Sequence, residues 1–188
     1  MIAIALTLLV LELKVPSLET PTPRGLASAL LREWPSFFAL VTSFIPVLIM
    51  WIHHRSILSL VHKVDGPLLF ANGFFLLVVS IVPFPTALVS RYLATPAAGT
   101  ACTVYAGTFF LGSLAFWGLL VAALRENVRA PHGSEKRRGE LRRSYAYGPP
   151  LYLLATFTAP FLPWLSMGIC TALWVFWAAT GLESGEKA

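Results

Sequence analysis

The chain has 188 residues, and its composition, 56% hydrophobic and only 12% charged with a mean hydropathy of +0.71, leaves too little polar surface to enclose a soluble core. The net charge of +5 does not indicate nucleic-acid binding, because the basic residues lie between apolar runs and are not interleaved with exposed aromatic residues. These properties predict an all-α integral membrane protein and exclude a soluble enzyme or a nucleic-acid-binding protein.

The first apolar block runs from Met1 to Val15 and ends before Pro16. At the rise of an α-helix it covers about 22 Å, less than the roughly 30 Å of a bilayer's hydrocarbon core. A secretory signal would need a basic leading segment and a small-residue cleavage site, and this block has neither. We interpret it as a truncated first transmembrane helix, either short by nature or lacking residues that lie upstream.

Five further apolar blocks follow, and each is near the length of a membrane-spanning helix. They cover about 34–51, 67–89, 101–124, 147–162 and 164–180. Pro83 and Pro85 are expected to interrupt or end the third helix at its outer end, and Pro163 predicts a tight hairpin with Trp164 at headgroup level. Residues 1–188 are therefore predicted to form one polytopic domain of six transmembrane helices.

The distribution of lysine and arginine predicts the orientation of these helices. With the N-terminus in the cytoplasm, ten of the 14 basic residues fall on the cytoplasmic side, and only Lys14, Arg24, Arg32 and Arg91 fall outside. This bias favours a cell-membrane protein with both termini in the cytoplasm and an even number of spans. The hydrophilic stretch at about 125–144 is then a basic cytoplasmic loop. We interpret it as a connector that attracts anionic lipid headgroups, with a regulatory site as the alternative.

The sequence contains none of the familiar enzyme signatures, such as a phosphate-binding glycine loop or His-Glu-x-x-His. The adjacent His53 and His54 point about 100° apart on a helix, so they are poorly placed to hold one metal ion. Either they cap the second helix at the interface, or one of them reaches inward to a polar group on a neighbouring helix. We therefore predict no enzymatic activity, no bound metal and no cofactor.

Three aliphatic residues, Ile4, Leu8 and Leu11, share one face of the first helix at positions i, i+4 and i+7. In a membrane protein taken at random, such a stripe packs against lipid or another helix. Thr7 lies beside the stripe, where its hydroxyl either bonds its own helix backbone or faces the same side as a weak oxygen ligand.

Four motifs in order carry a family resemblance: the run from Ala3 to Pro16, Trp-Pro-Ser-Phe from Trp34, Trp-Ile-His-His-Arg from Trp51, and Val-Pro-Phe-Pro-Thr-Ala-Leu from Val82. Together they resemble the prokaryotic branch of the transmembrane protein 175 family of potassium channels. The resemblance implies six helices in a single repeat and a homotetramer whose first helices line a central pore.

The resemblance also implies roles for individual residues. Ile4 aligns with the narrowest isoleucine of the family's pore, and Leu8 and Leu11 align with the layers beyond it. Thr7 is a candidate for a polar layer of the pore. His53 or His54 is expected to belong to an interhelical hydrogen-bond network that sets the angle of the first helix.

One departure from the family pattern concerns the beginning of the chain. Members normally carry an arginine and then Phe-Ser-Asp just before the Ala-Ile-Ala run, and this sequence lacks that motif. Met1 aligns with an aliphatic residue such as valine, whose GTG codon is also a bacterial start codon. We hypothesise that the true start lies upstream, and an upstream DNA sequence without an in-frame Phe-Ser-Asp would refute this.

We therefore predict a passive channel that is potassium-selective or weakly cation-selective, whose partners are copies of itself, membrane lipids and permeant potassium ions. The alternative is a secondary transporter or a non-conducting membrane scaffold. Coupled transport would require an ion-binding or titratable group at mid-membrane, and the sequence offers no convincing candidate.

Overall fold

The computed structural model describes residues 2–11, 13–18, 22–59, 61, 64–124, 139, 143 and 145–185, with side chains as far as residue 178. Within this part of the chain every regular element is an α-helix, which confirms the predicted all-α class. We number the helices α1 Ile2–Val10, α2 Pro23–Arg32, α3 Trp34–Leu58, α4 Gly66–Ile81, α5 Pro83–Tyr92, α6 Ala98–Ala123, α7 Gly148–Thr158 and α8 Pro163–Gly185.

Helix α1 is shorter than the first apolar block predicted. It ends at Val10, and residues 13–18 are not helical, whereas the sequence had suggested a helix as far as Val15. Pro16 accounts for part of this difference, because a proline disfavours the helical conformation of the residue before it. Hydropathy placed the C-terminal end of α1 too late, because leucine and valine are as apolar in an extended segment as in a helix.

Helix α2 was not predicted at all. The hydroxyl of Thr22 caps it by accepting a hydrogen bond from the backbone N–H of Gly25 at 3.1 Å, and Pro23 occupies the first helical turn, where its missing N–H costs nothing. With ten residues and both apolar and basic positions, α2 is too short and too polar to be found by a search for spans.

Helix α3 begins at Trp34 as predicted but continues seven residues beyond Trp51, through both histidines, to Leu58. The next predicted span is divided: α4 ends at Ile81 and α5 begins at Pro83, so the prolines interrupt this span and do not end it. The start of α4 is capped by Asp65, whose carboxylate accepts a hydrogen bond from the backbone N–H of Leu68 at 2.9 Å.

The hairpin between α7 and α8 lies where Pro163 predicted it. The backbone N–H of Leu162 donates to the carbonyl of Thr158 at 2.8 Å and closes the turn. Trp164, at the start of α8, stacks on Trp34 with ring centroids 6.0 Å apart. The beginning of α6 also approaches this turn: a Cβ atom on Gly99 would lie 2.9 Å from the carbonyl oxygen of Pro160, so only glycine fits there.

Three stretches of the described chain are long and apolar enough to cross a membrane: Trp34–Leu58, Gly66–Tyr92 and Ala98–Ala123. They support the predicted membrane protein, while the count of six spans remains a prediction. The basic loop at about 125–144 lies almost entirely outside the described residues. Cys102 and Cys170 are both buried within the hydrophobic core.

Candidate pore-lining face and histidine network

Helix α1 has one face that packs against the rest of the chain. Ile2, Ala5 and Leu9 are buried on this face, and Leu9 is completely enclosed. The helix lies against α3, α4 and α5. The spacing of these three residues is that of one helical face, so α1 is fixed in its rotation about its own axis by its contacts with three neighbouring helices.

The other face of α1 carries the aliphatic stripe. Ile4 is 61% exposed, Leu8 42% and Leu11 72%, so a large part of each apolar side chain is left uncovered by the described part of the chain. Leu11 lies in the turn just beyond the helix, where its backbone N–H donates to the carbonyl of Leu8 at 3.1 Å. The fold therefore turns all three residues of the stripe away from the helices on which α1 packs.

Thr7 is exposed beside this stripe. Its hydroxyl donates to the carbonyl oxygen of Ile4 at 2.8 Å, which is the backbone bond that the sequence offered as one of two alternatives. The bond uses the hydroxyl proton, while a hydroxyl oxygen has two lone pairs that accept hydrogen bonds or face a cation. Thr7 can thus bond its helix and still present an oxygen to the exposed side.

His53 is buried and lies among aromatic rings from other helices. A backbone carbonyl only accepts, so Nε2 of His53 donates to the carbonyl oxygen of Trp177 at 3.2 Å, and Nδ1 then accepts from the hydroxyl of Tyr145. The rings of Tyr145 and Trp177 stack at 5.1 Å, and Phe116 meets His53 edge-on. Both ring nitrogens are therefore engaged inside the bundle.

His54 points to a different neighbour. Its Nε2 donates to the side-chain oxygen of Asn72 at 2.7 Å, and its ring stacks on Phe75 at 5.2 Å, so it joins α3 to α4. Among the described residues, the hydrogen bonds of the two histidines lead to α4, to α8 and to the segment before α7, and none leads to α1. The expectation that a histidine sets the angle of α1 directly remains a prediction.

Two partners in this network were missed from the sequence. Tyr145 and Trp177 are 92 and 124 residues from His53 along the chain, and no sequence pattern links either of them to the histidine. Aromatic residues at such positions are common in membrane proteins, so their spacing alone carried no information about contact.

Comparison with known families and structures gives consistent results. Residues 1–83 match the profile of the family described as endosomal/lysosomal potassium channel TMEM175. A protein named as a potassium channel from Chamaesiphon minutus is 41% identical over 177 residues, which cover 94% of this chain and 87% of that protein. Another potassium channel, from Streptomyces collinus, is 43% identical over 118 residues, 62% of this chain and 56% of that protein.

A solved structure also matches. It is described as a crystal structure of a lysosomal potassium-selective channel TMEM175 homolog from Chamaesiphon minutus. It superposes with a TM-score of 0.86 at 39% sequence identity, and the match covers 96% of this chain and 92% of that one. The likeness therefore extends over nearly the whole fold and is not confined to the first helices.

Proposed function

Because this chain belongs to the TMEM175 family of potassium channels, we propose that four copies assemble around a central pore lined by α1, with Ile4, Leu8 and Leu11 as its aliphatic constriction. The permeant ion is potassium, and no cofactor takes part. Membership of a channel family favours this function over the transporter and scaffold alternatives and over any enzyme.

The observation that carries the proposal is the division of α1 into two apolar faces. A bilayer gives no hydropathic reason for one aliphatic face to be buried and the other exposed, since lipid tails are as apolar as leucine. Packing against α3, α4 and α5 buries the face with Leu9 and leaves the face with Ile4 outward. In a closed ring of subunits, four such outward faces meet around the symmetry axis.

Such a ring can act as a gate by excluding water. The helical rise puts Leu8 about 6 Å along the axis from Ile4, and Leu11 lies beyond Leu8 in the turn that follows the helix. A narrow apolar collar of that height does not hold a continuous column of water, so ions are blocked until the helices tilt or rotate outward. No charged or titratable group is required for this step.

Selectivity in this pore depends mainly on partial dehydration. The sequence has no Thr-Val-Gly-Tyr-Gly filter to replace the hydration shell with carbonyl oxygens. Potassium sheds water more easily than sodium, so a narrow collar favours potassium moderately. The exposed Thr7 adds a ring of four weak oxygen ligands next to the constriction.

The proposal includes an orientation in the cell membrane. The excess of lysine and arginine in the segments assigned to the cytoplasm, above all in the loop at about 125–144, supports cytoplasmic N- and C-termini. The same basic loop is suited to contact anionic headgroups of the inner leaflet.

The test is to change Ile4→Asn and to record potassium and sodium currents, or fluxes into liposomes, from the purified channel. We expect a larger conductance and a potassium-to-sodium permeability ratio that falls toward one, because an amide wets the collar. Val10→Asn is the matched control, since Val10 is also exposed on α1 but lies about 120° from Ile4 around the helix. Unchanged currents in Ile4→Asn would refute the pore assignment.

A further inference from the structure

The middle of α3 contains a proline that leaves one backbone group without its usual partner. Pro46 lies inside the helix, where it has no N–H to donate to the carbonyl of Thr42 four residues earlier. Thr42 and Pro46 are both buried, so water is not at hand to satisfy this carbonyl. A buried carbonyl without a donor is costly and must find a substitute.

Tyr105 of α6 supplies the substitute. Its hydroxyl donates to the carbonyl oxygen of Thr42 at 2.6 Å, and its side chain is only 1% exposed. The bond joins residues 63 positions apart and closes the gap that Pro46 opens in the ladder of α3. The ring of Tyr105 is itself held by Phe109, with centroids 4.8 Å apart.

The hydroxyl of Tyr105 is also the last member of a series of side-chain hydrogen bonds that begins on α5. Thr86 donates to the hydroxyl of Ser43 at 2.7 Å, and the hydroxyl of Ser43 lies 3.5 Å from that of Tyr105. The backbone N–H of Thr86 donates to the carbonyl oxygen of Val82 at 3.2 Å, and Val82 is the residue between α4 and α5. The missing backbone bond at Pro46 in α3 and the break between α4 and α5 at Val82 are therefore joined by one buried network of hydrogen bonds.

We propose that Tyr105 is a positioning residue for permeation. Its hydroxyl bonds the Thr42 carbonyl freed by Pro46, and with Ser43 and Thr86 it holds together helices α3 and α5, against which the pore helix α1 packs. This inference rests on the proposed function only in taking α1 as the pore wall. A proline break without its substitute bond is a point where a helix bends easily, so loss of the Tyr105 hydroxyl lets the support of α1 shift.

The test is a double-mutant cycle between residues 105 and 46, read as potassium flux per assembled channel and as open probability. Tyr105→Phe keeps the ring and removes the hydroxyl, and we expect a change in open probability of about fivefold or more. In the Pro46→Ala background the alanine N–H can bond the Thr42 carbonyl, so Tyr105→Phe should change open probability by less than about twofold there.

Tyr152→Phe is the matched control. Tyr152 is also buried and also packs on Phe109, at 6.0 Å, but it is Tyr105 that bonds the α3 carbonyl. We expect Tyr152→Phe to leave open probability within about twofold of the parent in both backgrounds. Equal effects of Tyr105→Phe with and without Pro46 would overturn the proposal, as would no effect in either background.

Assembly must be measured beside gating. If Tyr105→Phe alone fails to assemble, rescue of assembly by Pro46→Ala supports the bond between Tyr105 and Thr42, and failure of rescue contradicts it. The result is separable from the Ile4→Asn test. Coupled effects at 105 and 46 with unchanged currents in Ile4→Asn would keep the bond between Tyr105 and Thr42 as a control of gating through α3, and would reject α1 as the pore wall.

Discussion

The Nε2 atom of His53 donates to the backbone carbonyl of Trp177 at 3.2 Å, which joins the C-terminal half of α3 to α8 across 124 residues of chain. Because Nδ1 accepts from Tyr145, the ring is held from both sides and its neutral tautomer is fixed. The histidine is thus a cross-link between helices, and removing it leaves a cavity, a buried carbonyl with one donor fewer and a tyrosine hydroxyl without its acceptor.

We predict that His53→Ala lowers the free energy of unfolding by about 2–4 kcal/mol, since it creates a cavity and unpairs buried polar groups. Tyr145→Phe removes one hydrogen bond and should cost about 1–2 kcal/mol. The measurement is unfolding by sodium dodecyl sulfate in mixed micelles.

The control for this prediction is the double variant. Once His53 is alanine, the Tyr145 hydroxyl has already lost its acceptor, so adding Tyr145→Phe should cost almost nothing further. His54→Ala, at a half-buried position, should cost less than His53→Ala. Fully additive losses for His53 and Tyr145 would show that their hydrogen bond contributes nothing measurable.

We predict opposite consequences for two adjacent leucines of α1. Leu9 is fully buried, so Leu9→Ala should lower the free energy of unfolding by about 2–5 kcal/mol. Leu8 is 42% exposed, so Leu8→Ala should change stability little but should widen the proposed collar and raise potassium conductance.

Thermal unfolding in detergent would measure the stability of both variants, and liposome flux on the same preparations would measure their potassium conductance. A Leu8→Ala variant that loses stability as Leu9→Ala does, without altered flux, would mean that the exposed face of α1 is a packing surface and not a pore wall.

We predict that Gly99→Ala destabilises the fold by about 1–3 kcal/mol, because the new methyl group would lie 2.9 Å from the backbone oxygen of Pro160, and backbone cannot move aside cheaply. Gly73→Ala is the control, since nothing lies within 4 Å of a Cβ there and alanine is the better helix former.

Gly99→Ala should therefore lower the melting temperature of the protein, whereas Gly73→Ala should raise it or leave it unchanged. Equal tolerance at both sites would indicate that the α7–α8 turn does not pack on the start of α6 as closely as described.

The family and the helical class could be predicted from the sequence because both depend on features that lie along the chain. Apolar blocks of spanning length indicate membrane helices whatever their neighbours. The resemblance to the TMEM175 family, drawn from motifs such as the run from Ala3 to Pro16, is confirmed by the family comparison. Helix ends were less predictable: α3 continues past the point where hydropathy falls, since the backbone ladder does not depend on apolar side chains.

The sequence by itself determined that Ile4, Leu8 and Leu11 share a face of α1, because the 3.6-residue period fixes which residues lie together on a helix. Only the tertiary structure decided which face of α1 is buried, since Leu9 and Leu8 are equally apolar and hydropathy reports insertion into lipid, not contact with protein. The hydrogen bond from Tyr105 to the Thr42 carbonyl was likewise decided by packing. Pro46 in the sequence predicts that this carbonyl lacks its backbone donor, but it does not predict which helix supplies a substitute.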